Sequence, residues 1–299
     1  MGFWDRLFGR TSAKNLPLSA REQNKPLETS FQPRKRSSSG PCNPPEKDWD
    51  APVFLVGNIQ GVGNREEQED SFAVFNCADE RLQKSQGLFA VAADGMGGMT
   101  DGKAASECAV DVFRELFFSR KDDLPVPDWL YSSACAASDQ VFRQFSGASG
   151  TTLTAVHILG KRLYWLSVGD SAIFLKRGGG VFQLNREHTH LNQLYEAELD
   201  EEFIDKNRAQ QNEDARRLTS FVGIDHLKEV DLNLQPWVLQ RNDVILICSD
   251  GISGVLTPPE LLEAMSLDPD EGCALLETMI LEKKNPAQDN YTGIMIACR

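Results

Sequence analysis

Long apolar runs are missing from this 299-residue sequence, and none approaches the roughly 20 residues that a membrane-spanning helix needs. Basic residues are also in short supply: 31 Lys and Arg face 44 Asp and Glu, for a net charge of -13. That balance argues against a nucleic-acid binder, whose phosphate-facing surface must be basic. It suits a site built of carboxylates and neutralised by cations. A secretory signal with a long apolar segment is lacking as well. The seven cysteines (residues 42, 77, 108, 135, 248, 273 and 298) are odd in number, scattered, and without close metal-ligand spacing. Free thiols in a reducing cytoplasm are the expectation. Core material is not lacking, with 41% hydrophobic residues, enough for one large domain or two small ones.

Charge and composition change near residue 50. Residues 1–50 carry nine Lys/Arg and six Asp/Glu, a net of +3, which leaves -16 on residues 51–299. Ser37-Ser38-Ser39-Gly40-Pro41 and Pro44-Pro45, with few periodic apolar residues around them, predict a disordered linker over about 11–48. Phe3, Trp4, Leu7 and Phe8 fall on one helical stripe. The first ten residues therefore suit either a short amphipathic helix that touches a partner or a membrane surface, or a frayed tail.

Residues 49–299 read as one domain. Short apolar runs predict strands near 53–56, 71–75, 88–93, 152–159, 163–168, 172–176, 181–184, 230–237, 244–248 and 294–298. Helical spacing predicts helices near 102–118, 128–145, 258–266 and 269–284, the first with Ala105, Cys108, Ala109, Val112 and Leu116 along one face. Links as short as Gly160-Lys161, Gly169-Asp170-Ser171 and Gly178-Gly179-Gly180 ask for hairpins. Strands and helices come in blocks and do not alternate. The expected class is α+β, with antiparallel sheets and helices packed outside them, and not a doubly wound parallel sheet. Residues 186–217 are polar and acidic and resemble an inserted surface segment.

Chemistry collects at strand edges. Asp94, Asp170, Asp250 and Asp289 each stand beside a predicted strand, and Glu69-Asp70 precedes another. Glycine follows Asp94 and lets the backbone bend there. Carboxylates that converged without a counterion would raise one another's pKa and oppose folding. Hard oxygen ligands without His or Cys point to Mg²⁺ or Mn²⁺. Two such ions close together activate and orient a water for in-line attack on phosphorus. The alternative is that each Asp caps its own turn.

Other patterns carry less. Cys108 and Arg114 have the Cys-x5-Arg spacing of tyrosine phosphatases, but the residues between them lack glycine and continue a helical pattern. A buried helix cysteine is the expectation there. His188-Thr189-His190 has no third metal ligand nearby and reads as a solvated loop. Gly178-Gly179-Gly180 lacks a following Lys-Ser/Thr and reads as a hairpin turn.

Taken in order, several motifs carry a resemblance. They are Arg65-x-x-Gln68-Glu69-Asp70, Ala93-Asp94-Gly95-Met96-Gly97-Gly98, Gly150-Thr151-Thr152, Val168-Gly169-Asp170-Ser171, Cys248-Ser249-Asp250-Gly251 and Gln288-Asp289-Asn290-Tyr291-Thr292. The series resembles the metal-dependent serine/threonine protein phosphatases of the 2C type, in their bacterial form. It covers about residues 53–298. The resemblance implies a four-layer α-β-β-α sandwich with two central, mainly antiparallel sheets and a metal centre at one sheet edge. It implies that Asp94 bridges two Mn²⁺ or Mg²⁺ ions, that the Gly95 carbonyl joins one shell, and that Asp250 and Asp289 complete the other. Glu69 would act on the first metal, Asp70 would orient the attacking water, and Arg65 would bind the substrate phosphate. Asp170 with Asp250 matches the place of a third, weaker ion. Hydrolysis would be direct, by a water bridging the metals, with no phosphoenzyme.

The implied substrates are phosphoproteins made by a serine/threonine kinase, and the implied setting is a cytoplasmic monomer. Two residues depart from the pattern. Ala172 stands where many relatives have Arg, which should affect packing more than chemistry. Met96 stands where eukaryotic relatives often have a His, so the proton donor to the leaving group is unassigned. Residues 186–217 occupy the place of the family's variable flap. The rivals are a catalytically dead member that binds phosphoproteins or regulates a partner, and a small-molecule phosphatase on the same fold. No metal carboxylate is missing, which disfavours the first. Deleting residues 1–48 is expected to leave turnover of a small phosphate ester intact, and a collapse of that turnover would make the tail structural.

Overall fold

Period-two alternation of apolar side chains sets the architecture. The structure, a computed structural model, describes residues 52–96, 101–120, 124–201 and 205–299. The expectations for the 1–48 tail and for Gly97-Gly98 lie outside those residues. Two units are distinguished, Met1–Lys47 and Asp48–Arg299, and all the described residues belong to the second.

With elements numbered in chain order, one sheet runs β1 (Phe54–Gly61), β11 (Tyr291–Cys298), β10 (Val244–Cys248), β6 (Ala172–Arg177) and β7 (Gly180–Gln183). The other runs β2 (Asp70–Phe75), β3 (Leu88–Asp94), β4 (Leu153–Leu159), β5 (Arg162–Val168) and β8 (Asp231–Leu232), with β9 (Trp237–Val238) also paired to β5. Every strand pairing is antiparallel. The helices are α1 (Glu80–Ser85), α2 (Gly102–Phe118), α3 (Val126–Phe145), α4 (His190–Glu198), α5 (Lys206–Gln210), α6 (Asp250–Ser253), α7 (Pro258–Ala264) and α8 (Pro269–Glu282).

Strand alternation divides the apolar residues into three buried layers. In β3, Leu88, Ala90 and Ala92 join a core shared with Ile245 and Ile247 of β10 and Ile294 and Ile296 of β11, so the two sheets pack on each other. Phe89, Val91 and Ala93 of the same strand face α2 and α3. On the far side Val244, Leu246, Met295 and Ala297 meet Leu261, Ala264, Cys273 and Leu276 of α7 and α8. The result is the expected four-layer α-β-β-α sandwich.

Some local expectations are corrected. The stripe of α2 against the sheet is Ala105, Ala109, Phe113 and Phe117, with Cys108 and Val112 only partly buried at its shoulder. Two phenylalanine rings win the core because they stack on Phe89, at 5.9 and 5.2 Å between centroids. The predicted strand 230–237 is two short pieces, β8 and β9. Between them Asn233 replaces the ladder: its side chain accepts from the Trp165 N–H and donates to the carbonyls of Leu163 and Gln235. Pro236, just before β9, has no N–H to give. Helix α1, six residues long, is too short to show a helical period, and the Asp79 side chain caps it by accepting from Arg81 and Leu82.

Phe89 is fully buried and has Phe75, Phe113, Phe117 and Trp129 as ring neighbours. Phe89→Ala is expected to destabilise the domain by about 3–5 kcal/mol, read as a lower urea midpoint at unchanged slope.

Candidate active site

Antiparallel strands bring chain-distant carboxylates to one end of both sheets. β3 ends on Asp94, β2 starts on Asp70, and the two residues are register partners. In the facing sheet β10 ends two residues before Asp250 and β11 starts two residues after Asp289. Asp170 lies in the link from β5 to β6, where the chain passes from one sheet to the other. Gly169-Asp170-Ser171 is therefore a crossover and not the expected hairpin: β6 pairs with β10 and β7, not with β5.

Glycine follows Asp94 and Asp250 for a reason of space. A Cβ on Gly95 would stand 2.3 Å from the Gly102 carbonyl oxygen and 2.7 Å from that of Glu69. One on Gly251 would stand 2.0 Å from the Asn290 carbonyl oxygen. Neither glycine has a positive φ, so the requirement is close backbone approach and not the bending freedom expected from the sequence.

The side chains form one electrostatic group. Asp94 is within hydrogen-bond reach of both Asp70 and Asp250. Burial holds the Asp94 carboxyl well above the usual carboxylate range, and Asp70, Asp250, Asp170 and Asp289 push it the same way. Asp170 is pushed up to about 7, first by burial and then by Asp250 and Glu187, against the pull of Arg216. Asp250 is exposed at the rim, yet protein packs around it closely enough that desolvation is the largest influence raising its pKa, with Asp289 next. Glu69 is raised by burial, opposed by Arg65.

Asp70 is 4% exposed and pushed up to about 6, chiefly by desolvation. Its Oδ2 accepts from the Ser249 hydroxyl at 2.9 Å, and the Thr292 hydroxyl also bonds the carboxylate. Its Oδ1 is buried with no hydrogen-bond partner among the described residues.

Arg65 does not stand alone over the site. Its Nη2 donates to Asp289 Oδ2 at 2.6 Å, with both side chains partly exposed. Asp289 Oδ1 accepts from the Asn290 N–H. Asn290 in turn accepts from the Glu69 N–H at 2.7 Å and donates to the carbonyls of Val62 and Glu67, holding the Arg65–Glu69 loop against the start of β11.

Behind the carboxylates runs a buried polar scaffold. The Asp94 carbonyl accepts from the Thr152 N–H and the Thr151 hydroxyl, each at 2.8 Å, and the Asp94 N–H donates to Thr152 Oγ1. Thr152 Oγ1 also meets the Ser171 hydroxyl at 2.8 Å. Asn185 donates to the Ser171 carbonyl and the Ser167 hydroxyl and accepts from Ile173. The Asp94 turn and the Asp170 turn are thereby parts of one network.

Among the described residues no three His, Cys, Asp or Glu side chains form a ready coordination sphere. Asp94 with Asp70 and Asp250 nevertheless shares one desolvated space. Their chemistry fits hard divalent cations: all donors are oxygens, burial and neighbouring carboxylates raise their pKa values, and one buried oxygen is unpartnered.

The protein phosphatase 2C family model matches residues 68–279. This chain belongs to the protein phosphatase 2C family. It is 26% identical over 253 residues to a putative protein phosphatase of Mycoplasma pneumoniae, covering 80% of this chain and 93% of that one. It is 30% identical over 212 residues to the serine/threonine protein phosphatase PstP of Mycobacterium tuberculosis, covering 68% of this chain and 39% of PstP. A solved catalytic domain of PstP in complex with two manganese ions superposes with a TM-score of 0.65 at 24% identity, over 83% of this chain and 99% of that one.

Within the 2C family frame, all eight residues expected at the site lie at this sheet end. Ser249, Thr292 and Asn290 belong to the same motifs, but their supporting roles were not legible from spacing. His188 corrects the expectation of a solvated loop, being only 6% exposed. Ala172 is buried in the outer core opposite Cys248. Met96 packs over Gly150, where a Cβ would stand 2.5 Å from its methyl group, and it has no proton to donate.

The raised carboxyl pKa values set the pH response of the metal-free protein. Asp70 and Asp170 bind protons more tightly folded than unfolded, so the stability these groups contribute is fully present below their ordinary carboxylate range, about 4. It falls as pH rises through about 6 and 7. In EDTA the melting temperature is expected to drop between pH 5.5 and pH 8, and Mn²⁺ at pH 8 is expected to restore it. A melting temperature that climbed with pH in EDTA would contradict this electrostatic picture.

Proposed function

We propose that this chain hydrolyses phosphoserine and phosphothreonine in proteins with the help of two Mn²⁺ or Mg²⁺ ions. The observation that carries the reading is the carboxylate group centred on Asp94, desolvated and within reach of Asp70 and Asp250. Such a group needs cations to be fully ionised at neutral pH. Asp94, the Gly95 carbonyl, Asp250 and Asp289 would hold the pair, with Glu69 acting on the first ion, directly or through water. Asp170 with Asp250 would take a third, weaker ion. The PstP catalytic domain solved with two manganese ions supports this assignment by fold. Bound cations would supply a water of lowered pKa and neutralise charge on the phosphoryl oxygens.

The chain's own residues do the rest. Asp70 offers its unpartnered Oδ1 to the attacking water and aligns it, while Ser249 and Thr292 keep the carboxylate fixed and favour its ionised form. Arg65 binds the substrate phosphate, since a planar guanidinium matches phosphate oxygens. Arg65 is now paired with Asp289 and would turn to substrate once that carboxylate served a cation instead. The leaving alkoxide takes its proton from water, because Met96 has none to give. The partners in this reading are phosphoproteins and the serine/threonine kinase that makes them, met by a cytoplasmic monomer. No helix among the described residues is long and apolar enough to cross a membrane.

Hydrolysis of a phosphothreonine peptide and of a small phosphate ester, with and without Mn²⁺, tests the reading. Metal-dependent turnover of the peptide is expected. No turnover of either would leave the catalytically dead alternative, and turnover of the ester alone would make the substrate a small molecule. Asp94→Asn is expected to lower kcat by orders of magnitude. Arg65→Ala is expected mainly to raise KM, by about tenfold, through loss of a charge-assisted contact.

A further inference from the structure

His188 sits at a junction. Its Nδ1 accepts the Gly169 N–H at 3.1 Å, and its own N–H donates to the Gly169 carbonyl at 2.8 Å. Its carbonyl accepts from the Thr219 N–H at 2.9 Å. Two further bonds, His190 N–H to the Arg217 carbonyl and Leu191 N–H to the Ala215 carbonyl, close the neck of the 186–217 segment just beyond it. Gly169 is itself tightly constrained: its φ is +101°, and a Cβ there would stand 2.8 Å from the Thr152 side chain. Thr152 is the residue that bonds both main-chain groups of Asp94. One buried imidazole therefore connects the flap neck, the turn that carries Asp170, and the backing of Asp94. A ring nitrogen that accepts from an N–H carries no proton, so the ring holds its hydrogen on Nε2.

We propose that His188 is a positioning residue, which locks the flap to the Gly169-Asp170 turn and so sets how tightly Asp170 takes a cation. The proposal rests on the reading that Asp170 holds one. Flap and turn share His188 through both its side chain and its main chain, so a flap displaced by substrate carries the Asp170 turn with it. The hydrogen bonds of this histidine are to main-chain groups of Gly169 and Thr219. Outer-shell partners of this kind tune ligand position, and their loss weakens metal binding by roughly 10- to 100-fold.

A pair of amide variants that differ by one methylene isolates the bond. In His188→Asn the side-chain oxygen lies near the place of Nδ1 and accepts from Gly169. In His188→Gln the same amide lies one carbon further out and misses it. Two readouts apply to the full chain: amide hydrogen exchange at Gly169 without metal, and calorimetric Mn²⁺ titration. His188→Gln is expected to speed Gly169 exchange and to weaken the weakest Mn²⁺ step about 10- to 100-fold. His188→Asn is expected to stay near wild type in both. In the background of Asp170→Asn, His188→Gln is expected to have no further effect on Mn²⁺. Equal behaviour of the two variants, or an additive effect with Asp170→Asn, overturns the proposal. If the wild-type chain takes up no Mn²⁺ at all, it is the functional reading that fails. The exchange comparison then still decides, since equal Gly169 exchange in the two variants overturns the tie.

Discussion

Carboxylates that repel one another are held together at one end of this sandwich, and the rest of the structure is arranged to withstand that repulsion. Asp94 is desolvated and faces Asp70 and Asp250 at hydrogen-bond range. Burial first and neighbouring Asp250 after it push Asp70 up to about 6 and Asp170 to about 7, so without cations the group lowers its charge by taking up protons. In the proposed reading, cation binding and proton release at this site are one linked equilibrium.

Resisting repulsion requires a rigid frame. Two sheets packed face to face, each with a helical layer outside, leave the strand ends little freedom. The strands supply position along the chain axis, and short side chains supply the final alignment. Thr151, Thr152, Ser171 and Asn185 bind the Asp94 and Asp170 turns from behind, and Ser249 steadies Asp70 across the gap between sheets. Gly95 and Gly251 are the points at which neighbouring backbone comes too close for any side chain. Arg65 belongs to the same balance, since its pairing with Asp289 offsets part of the negative charge at the rim. The 186–217 segment is tied to this frame through His188 and is not a detached excursion from it.

Local pattern carried much of this. Unbroken apolar runs in β3, β10 and β11 mark strands buried on both faces, and blocks of strands and helices mark α+β organisation. The order of Asp94, Asp170, Asp250 and Asp289 with their flanking glycines and threonines marks the family, because close backbone approach and oxygen ligation tolerate few substitutes. Element type in long periodic segments and the identity of the candidate ligands were thus determined by the sequence alone. Tertiary structure decided the rest. Which face of α2 is buried depended on Phe113 and Phe117 finding Phe89, a residue in another element. The break between β8 and β9 depended on Asn233 reaching strand β5. His188 looked solvated beside polar neighbours, yet its burial comes from Gly169 and Thr219, 19 and 31 residues away, and no local window contains them. The pairing of Arg65 with Asp289, 224 residues apart, was equally out of local reach. Spacing along a chain encodes which groups are present. Only the closing of two sheets on each other sets the distances between them, and electrostatics and hydrogen bonding act through distance.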